Sequence, residues 1–162
     1  GHRRGVERLC RRALSEGRLM ARPLPPTRAG YAAFRVLPTR WMDNDEYGHM
    51  NNATYLSFFD TGISLWQMDN GINTRGPEAL RLLTVETGCR YHSETGFPDL
   101  IHAGLRIGHL GTSSVRFEVG LFRNDEDTAS AEGFFTQVLT GDDGRPTPIP
   151  DTIRASFNTL RS

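Results

Sequence analysis

The sequence contains one long segment with helical periodicity, and this segment limits the folds that the chain can adopt. Between Ala53 and Met68 the apolar residues recur at intervals of three and four, which places them on one face of an α-helix. This apolar face comprises Tyr55, Phe58, Phe59, Gly62, Ile63 and Trp66. A helix of this kind must bury its apolar face against another layer of structure. The rest of the chain must therefore supply a large apolar surface.

Polar residues and glycine mark the ends of the predicted helix. Asn51 or Asn52 can cap its N-terminus, because a short amide side chain accepts hydrogen bonds from the free N–H groups of the first turn. Gly71 can end the helix, because glycine readily adopts the left-handed conformation that follows many helices. Gly62 lowers helix propensity by about 1 kcal/mol relative to alanine. We therefore expect the helix to approach a sheet closely at Gly62.

The segments on either side of the helix have the period of two that is typical of β-strands. Residues 33–37 predict a short strand that ends at Pro38. After the helix, four further strands are predicted at residues 84–91, 101–108, 115–121 and 131–139. One strand, one long helix and four antiparallel strands predict an α+β fold, in which a curved sheet wraps around a single helix. One helix covers only part of such a sheet, so we expect the chain to self-associate.

The length and the hydropathy pattern restrict the class of protein. A chain of 162 residues suits one domain with a substantial core. The apolar runs are only a few residues long, so neither a membrane span nor a secretory signal is expected. Cys10 and Cys89 lie far apart without metal-like spacing, which is typical of reduced thiols. These features indicate a cytoplasmic protein without a membrane partner.

Residues 1–30 differ in charge from the rest of the chain. They contain eight Arg but only Glu7 and Glu16 as acids, although the whole chain has a formal net charge of zero. We expect a basic N-terminal extension, in part a dispensable cloning remnant, followed by a proline-containing linker, with the folded domain at residues 31–162. Residues 6–14 predict a short amphipathic helix within this extension. A basic segment alone is weak evidence for nucleic-acid binding, so no nucleic-acid partner is expected.

The polar residues at 40–52 lie directly before the helix, at a position that suits chemistry. The first turn of a helix has unpaired N–H groups and the positive end of the helix dipole, and both can stabilise an oxyanion. A nearby carboxylate such as Asp45 can act as a base or as a nucleophile. Aspartate also caps turns frequently, and this pattern alone favours neither interpretation of Asp43 and Asp45.

Metal sites and common catalytic motifs are not predicted. Asp43, Asp45 and Gly48 match the start of an EF-hand loop, but Thr54 stands where that loop requires a glutamate ligand. Strand alternation places His102 and His109 on opposite faces, which argues against zinc. The sequence contains no G-x-S-x-G, P-loop or G-x-G-x-x-G motif. We expect neither a metal nor another cofactor.

The run R-W-x-D-x-D-x-x-G-H-M-N-N-x-x-Y at residues 40–55, with Asp60 further along the helix, resembles the signature of a known family. This family is the hotdog-fold acyl-CoA thioesterases related to 4-hydroxybenzoyl-CoA thioesterase. The resemblance continues at Tyr91 and at residues 97–99, 110–114, 131–133 and 148–150. It implies a hotdog fold and hydrolysis of an acyl-CoA or related thioester to free acid and thiol. It also implies a homodimer or homotetramer with active sites between subunits.

The resemblance implies a role for individual residues. Asp45 corresponds to the catalytic carboxylate, the backbone N–H of Asn52 to the oxyanion donor, and Asp60 to a reserve catalytic candidate. The residues implied to support or contact the substrate are Asp43, His49, Asn51, Thr112, Ser113 and Ser114. Each of these could also serve only in capping, turn formation or solvation. Arg106 and Arg116 could meet coenzyme A phosphates, although ordinary surface charge explains them equally well.

The sequence leaves two alternatives open. Asp45 could attack the thioester or activate a water molecule, and the sequence does not distinguish these routes. The chain could also be a non-catalytic acyl-CoA-binding or regulatory module of the same fold. Asp45 favours catalysis, because a simple binding protein does not need an anion beside a thioester carbonyl.

Overall fold

A computed structural model describes residues 22–161; the predicted helix at residues 6–14 and Cys10 lie outside the described residues. The described part forms five strands and two α-helices. In chain order they are β1 (Ala33–Pro38), α1 (Asn52–Asp69), β2 (Arg81–Tyr91), β3 (Leu100–Leu110), β4 (Ser114–Arg123), β5 (Ala131–Thr140) and α2 (Asp151–Asn158). Short 3-10 helices occur at Arg28–Gly30 and Trp41–Asp43.

The five strands form one antiparallel sheet in the order β1-β3-β4-β5-β2. Helix α1 packs against one face of this sheet, so the predicted α+β fold with a central helix is confirmed, and the arrangement is that of a hotdog fold. β1 and β2 are the two edge strands. On β2 the apolar side chains of Leu83 and Val85 are exposed, Val85 to 62%. An edge strand with exposed apolar side chains is a natural surface for pairing with another chain.

The apolar face of α1 is buried as the sequence predicts. Tyr55, Phe58, Phe59, Gly62, Ile63 and Trp66 are all buried. A Cβ atom at Gly62 would lie 3.0 Å from the Cβ atom of Ala103 on β3, so the helix does approach the sheet closely at this residue. The ring of Phe59 lies over Gly133 in the same way. Small residues on both layers therefore set the distance between helix and sheet.

Both predicted ends of α1 are confirmed. Asn51 is the N-cap, and its Oδ1 atom accepts a hydrogen bond of 2.9 Å from the N–H of Ala53. At the other end Asn70 follows the last helical residue, and Gly71 has a φ of 73°. A positive φ is accessible to glycine at little steric cost, so Gly71 turns the chain away from the helix axis.

Two β-bulges alter the alternation predicted from the sequence. One lies between Thr84 and Glu86 on β2, and the other lies between Ile107 and His109 on β3. A bulge inserts one residue, so side chains beyond it change face. The prediction that His102 and His109 lie on opposite faces is therefore wrong. They pair with Phe122 and Arg116 of β4, on the face that points away from α1.

Candidate active site

Residues 41–51 form a compact hairpin directly before α1. After the 3-10 helix at Trp41–Asp43, Asn44 and Met50 form an antiparallel bridge. The N–H of Asp45 donates to the carbonyl oxygen of His49 at 2.8 Å. Gly48 closes the turn with a φ of 79°, a conformation that side chains disfavour. The hairpin thus delivers residues 45–49 and the start of α1 to the same place.

Asp43 is part of the framework of this hairpin. Its side chain is buried, with 1% of its surface exposed. Oδ2 accepts a hydrogen bond of 2.7 Å from the backbone N–H of Arg40, and Oδ1 accepts one of 2.9 Å from the Arg40 guanidinium. The carbonyl oxygen of Asp43 also accepts from the N–H of Asn51 at 2.9 Å. Asp43 therefore joins the start of the hairpin to the cap of α1.

Asp45 has a fixed orientation but keeps one oxygen available. Its Oδ1 atom accepts hydrogen bonds from the backbone N–H groups of Tyr47 at 2.9 Å and His49 at 3.4 Å. Within residues 22–161 its Oδ2 atom has no hydrogen-bond partner. The carboxylate is half-buried. Asp45 can therefore present one oxygen to a ligand without losing the contacts that hold it.

Among the described residues, the first turn of α1 has an open donor. Asn51 accepts from the N–H of Ala53 through Oδ1 and from the N–H of Thr54 through its carbonyl oxygen, each at 2.9 Å. In the described part of the chain, the N–H of Asn52 has no acceptor. Unpaired N–H groups at a helix N-terminus attract anionic groups. Asn52 is thus positioned to donate to a negatively charged oxygen.

Asp45 and Asn52 line the same surface cavity, which has a volume of about 480 Å³. The other residues that line it are Arg22, Tyr47, His49, Met50, Tyr55, Tyr91, His92, Ser93 and Glu94. The cavity is open to solvent on one side. A carboxylate with a free oxygen and an unpaired helix N–H therefore share one space.

The opposite wall of this cavity is the segment between β2 and β3. The N–H of Met50 donates to the carbonyl oxygen of Thr95 at 2.7 Å. The hydroxyl of Tyr55 lies 2.9 Å from Oγ1 of Thr95, and both side chains are buried. The N–H of Phe97 donates to Oδ1 of Asn44 at 3.0 Å. These contacts hold the hairpin, α1 and this segment together as a single unit.

Several residues of the cavity were not predicted as site residues. One of them is Glu94 at the mouth of the cavity, where its Oε2 atom lies 3.1 Å from Nε2 of the predicted residue His49. His92 hydrogen-bonds Glu132 through Nε2 at 2.9 Å, and Tyr55 and Tyr91 contribute aromatic surface. The alternation of β2 places Tyr91 on the face of α1, which could have identified it. Glu94 lies in an irregular segment, where no periodicity indicates its direction.

The structure does not bring all predicted residues to this cavity. Asn51 is occupied as the N-cap, and Asp60 is exposed on α1 outside the cavity. Neighbouring protein atoms still remove part of the hydration of the Asp60 carboxyl, and this desolvation raises its pKa. The loop of Thr112, Ser113 and Ser114 connects β3 to β4. Its carbonyl oxygens at residues 112 and 113 accept hydrogen bonds from the N–H groups of Ile149 and Leu139.

This loop is also remote from the cavity within one chain. Ser114 pairs with Val138, whereas Tyr91 at the cavity pairs with Ala131. Ala131 and Val138 are seven positions apart on β5, which corresponds to about 23 Å. Only a second copy of the chain could therefore bring such a loop to this cavity.

Arg106 and Arg116 lie on the face of the sheet that points away from α1. Nε of Arg106 is 2.8 Å from Oε2 of Glu118, and the Arg116 guanidinium stacks on the ring of Phe134 at 3.8 Å. Together with Arg90 they line a separate cavity of about 280 Å³. Within one chain they do not contact the cavity of Asp45.

Two further properties concern metals and membranes. In the range 22–161, no group of three or more His, Cys, Asp or Glu side chains is arranged to hold a metal ion. None of the helices described is long and apolar enough to cross a membrane.

Comparison with known proteins identifies the family. The fold, together with the family model that matches it, places the chain in the class of thioester hydrolases. The chain belongs to the thioesterase-like superfamily, whose family model matches residues 39–157. No curated protein matches the chain.

Three solved structures illustrate the similarity. The PA5185 protein from Pseudomonas aeruginosa PAO1 is 38% identical, with a TM-score of 0.81 over 85% of this chain and 97% of that chain. The PA2801 protein from Pseudomonas aeruginosa is 31% identical, with a TM-score of 0.71 over 78% and 98% of the two chains. A thioesterase from Thermus thermophilus, in complex with coenzyme A and zinc, is 26% identical, with a TM-score of 0.65 over 81% and 95%.

Proposed function

We propose that this protein hydrolyses an acyl-CoA or a related acyl thioester to the free acid and the thiol. One observation carries the proposal: an Asp45 carboxylate oxygen and the N–H of Asn52, both without a partner among residues 22–161, line one cavity at the start of α1. Hydrolysis of a thioester requires a nucleophile on one side of the carbonyl and a donor for the developing oxyanion. The similar Thermus thermophilus thioesterase was solved with coenzyme A, which supports this class of substrate.

The proposed mechanism uses the carboxylate of Asp45 and the backbone N–H of Asn52. The carbonyl oxygen of the thioester accepts a hydrogen bond from the N–H of Asn52, and the helix dipole stabilises the negative charge that forms on it. In one route Asp45 removes a proton from water, the resulting hydroxide attacks the carbonyl carbon, and the C–S bond breaks. The thiolate then takes the proton. In the other route Asp45 attacks the carbon directly, the C–S bond breaks, and the thiolate leaves and takes a proton from solvent. Water then hydrolyses the mixed anhydride, which releases the free acid and restores Asp45.

The mouth of the cavity suits the polar part of such a substrate. His49 and Glu94 form a hydrogen-bonded pair there, and Arg22 lies on the same rim. The buried Tyr55 and the exposed rings of Tyr47 and Tyr91 provide apolar surface along the walls. In this proposal the acyl group contacts the rings, and His49 orients the substrate at the entrance.

The test is a thiol-release assay with a panel of aliphatic and aromatic acyl-CoAs. Thiol release that depends on both enzyme and substrate supports the proposal, and the preferred acyl group identifies the substrate class. Acyl-CoA binding in calorimetry without thiol release would instead favour the non-catalytic binding module. Neither binding nor release across the panel contradicts both functions.

We also propose that the protein acts as a homo-oligomer that pairs through the free edge of β2. β2 has eleven residues and pairs only with β5, so one side of its backbone is open within residues 22–161. The exposed side chains of Leu83 and Val85 lie on this strand. In such an assembly the loop of Thr112, Ser113 and Ser114 of one copy could approach the open side of the cavity of another.

Replacement of Val85 by lysine is expected to weaken this association. The side chain of Val85 is 62% exposed, so Val85→Lys should add charge to the strand edge with little effect on the fold. Sedimentation velocity should show a shift from oligomer to monomer, with an unchanged circular dichroism spectrum. Met68→Lys, an equivalent change at an exposed position of α1, is the control and should leave the oligomer intact. A Val85→Lys protein that keeps the wild-type mass would contradict pairing through β2.

A further inference from the structure

Tyr91 lies at the end of β2, where the strand meets the cavity of Asp45 and Asn52. Its ring contacts the ring of Tyr55 edge to face, with centroids 5.0 Å apart and planes at 76°. Tyr55 is itself buried and hydrogen-bonded to Thr95. The ring of Tyr91 is therefore held in one orientation between the sheet and the start of α1.

The hydroxyl of Tyr91 takes part in two directed hydrogen bonds. It donates to the backbone carbonyl oxygen of Asn52 at 2.9 Å, and the thiol of Cys89 donates to it at 3.1 Å. A carbonyl oxygen can only accept, so the hydroxyl proton is committed to Asn52. Residues 89 and 91 lie on the same face of β2, which directs both side chains towards α1. Cys89, Tyr91 and Asn52 thus form a chain from the sheet to the first residue of the helix.

The hydrogen bond from Tyr91 to Asn52 keeps its proton at neutral pH. Burial, together with the hydrogen bond from Cys89, raises the pKa of Tyr91 to about 12. The hydroxyl therefore keeps its proton at neutral pH and remains a donor to Asn52.

A contact from the sheet to the first residue of a helix opposes the fraying that is common at helix ends. Asn52 is preceded by its cap and has an exposed side chain, which makes no hydrogen bond within the described range. The bond from Tyr91 is the side-chain contact that ties Asn52 to the sheet. Without it, the orientation of Asn52 would depend on the cap and on the hydrogen bonds of the helix itself.

We infer that Tyr91 is a positioning residue, whose hydroxyl holds Asn52 so that its N–H points into the cavity. The inference rests on the function proposed above and extends it to a residue outside the catalytic pair. Tyr91 itself need not contact the reacting atoms. Its effect on the rate arises because the oxyanion donor must be in place before the charge develops.

Tyr91→Phe removes the hydroxyl and keeps the ring contact with Tyr55. We expect kcat to fall about 10-fold with KM within about twofold of wild type, since misplacement by 1 Å can lower a rate by about 100-fold. Tyr31→Phe is the matched control, because Tyr31 lies on the face of the sheet that points away from α1 and its hydroxyl makes no hydrogen bond in the described range. Thermal unfolding of both variants shows whether a lower rate reflects a smaller folded fraction.

A second measurement does not depend on catalysis. The ¹⁵N order parameter of the Asn52 amide should fall from about 0.85, typical of rigid backbone, towards 0.6 in Tyr91→Phe, and should not change in Tyr31→Phe. An unchanged order parameter overturns the inference, and so does a Tyr91→Phe enzyme with wild-type kcat or with a loss that matches its folded fraction. A wild-type protein that releases no thiol from any acyl-CoA overturns the proposed function instead, whatever the order parameter.

Discussion

Replacement of Asp45 by asparagine is expected to lower kcat for thioester hydrolysis by about 10³-fold, within the roughly 10²- to 10⁴-fold range of a positioned base. Asparagine keeps the shape of the side chain, and its Oδ1 atom can still accept from the N–H groups of Tyr47 and His49. The turn should therefore survive. What is lost is the negative charge on the oxygen that has no partner. A loss of about 10³-fold corresponds to about 4 kcal/mol of transition-state stabilisation.

The control for this variant is Asp60→Asn. Asp60 is exposed on α1 and lies outside the cavity, so its replacement should leave kcat near the wild-type value. Kinetics should be combined with acyl-CoA affinity from calorimetry, which Asp45→Asn should change by less than about tenfold. If Asp45→Asn stays active and Asp60→Asn does not, the catalytic carboxylate is Asp60.

Replacement of Asp43 by alanine is expected to destabilise the fold, by about 2–3 kcal/mol. The buried carboxylate accepts from the backbone N–H of Arg40, and its removal leaves this partly buried donor without its acceptor, which costs roughly 1–3 kcal/mol. The Arg40 guanidinium is largely in solvent, so the ion pair itself adds little. Urea denaturation followed by tryptophan fluorescence measures this change.

The matched control is Asp69→Ala, which removes an exposed carboxylate that pairs with Arg35. Exposed pairs contribute less than about 1 kcal/mol, so the urea midpoint should barely move. The two variants should therefore differ in what they change. Asp43→Ala lowers the free energy of unfolding, whereas Asp45→Asn lowers kcat and leaves the fold intact. An Asp43→Ala protein as stable as wild type would show that the hairpin does not depend on this carboxylate.

The sequence predicted the layers of this fold well, because they follow from local periodicity. The apolar face from Tyr55 to Trp66 and the cap at Asn51 depend on spacing and on the chemistry of single residues. The bulges at Val85 and Gly108 were missed, since a bulge depends on the register between two strands. Neither strand carries that information by itself.

The candidate site was predictable where it is continuous in sequence. Asp45 and Asn52 are seven residues apart, and one hairpin brings them together. Tyr91 and Glu94 come to the same cavity through the sheet, so their place depends on tertiary structure. Thr112, Ser113 and Ser114 were predicted from the resemblance but do not reach the cavity within one chain. They lie at the other end of β4 and β5.

The tight contact between Gly62 and Ala103 fixes the position of α1 on the sheet near the middle of the helix. Asn52 lies ten residues before Gly62, or about 15 Å along the helix axis. Because a helix of this length is stiff, a side chain added at Gly62 would tilt the whole helix and move the N–H of Asn52 away from Asp45. The position of the Asn52 N–H in the cavity therefore depends on the absence of a side chain at Gly62, a residue that lies outside the cavity.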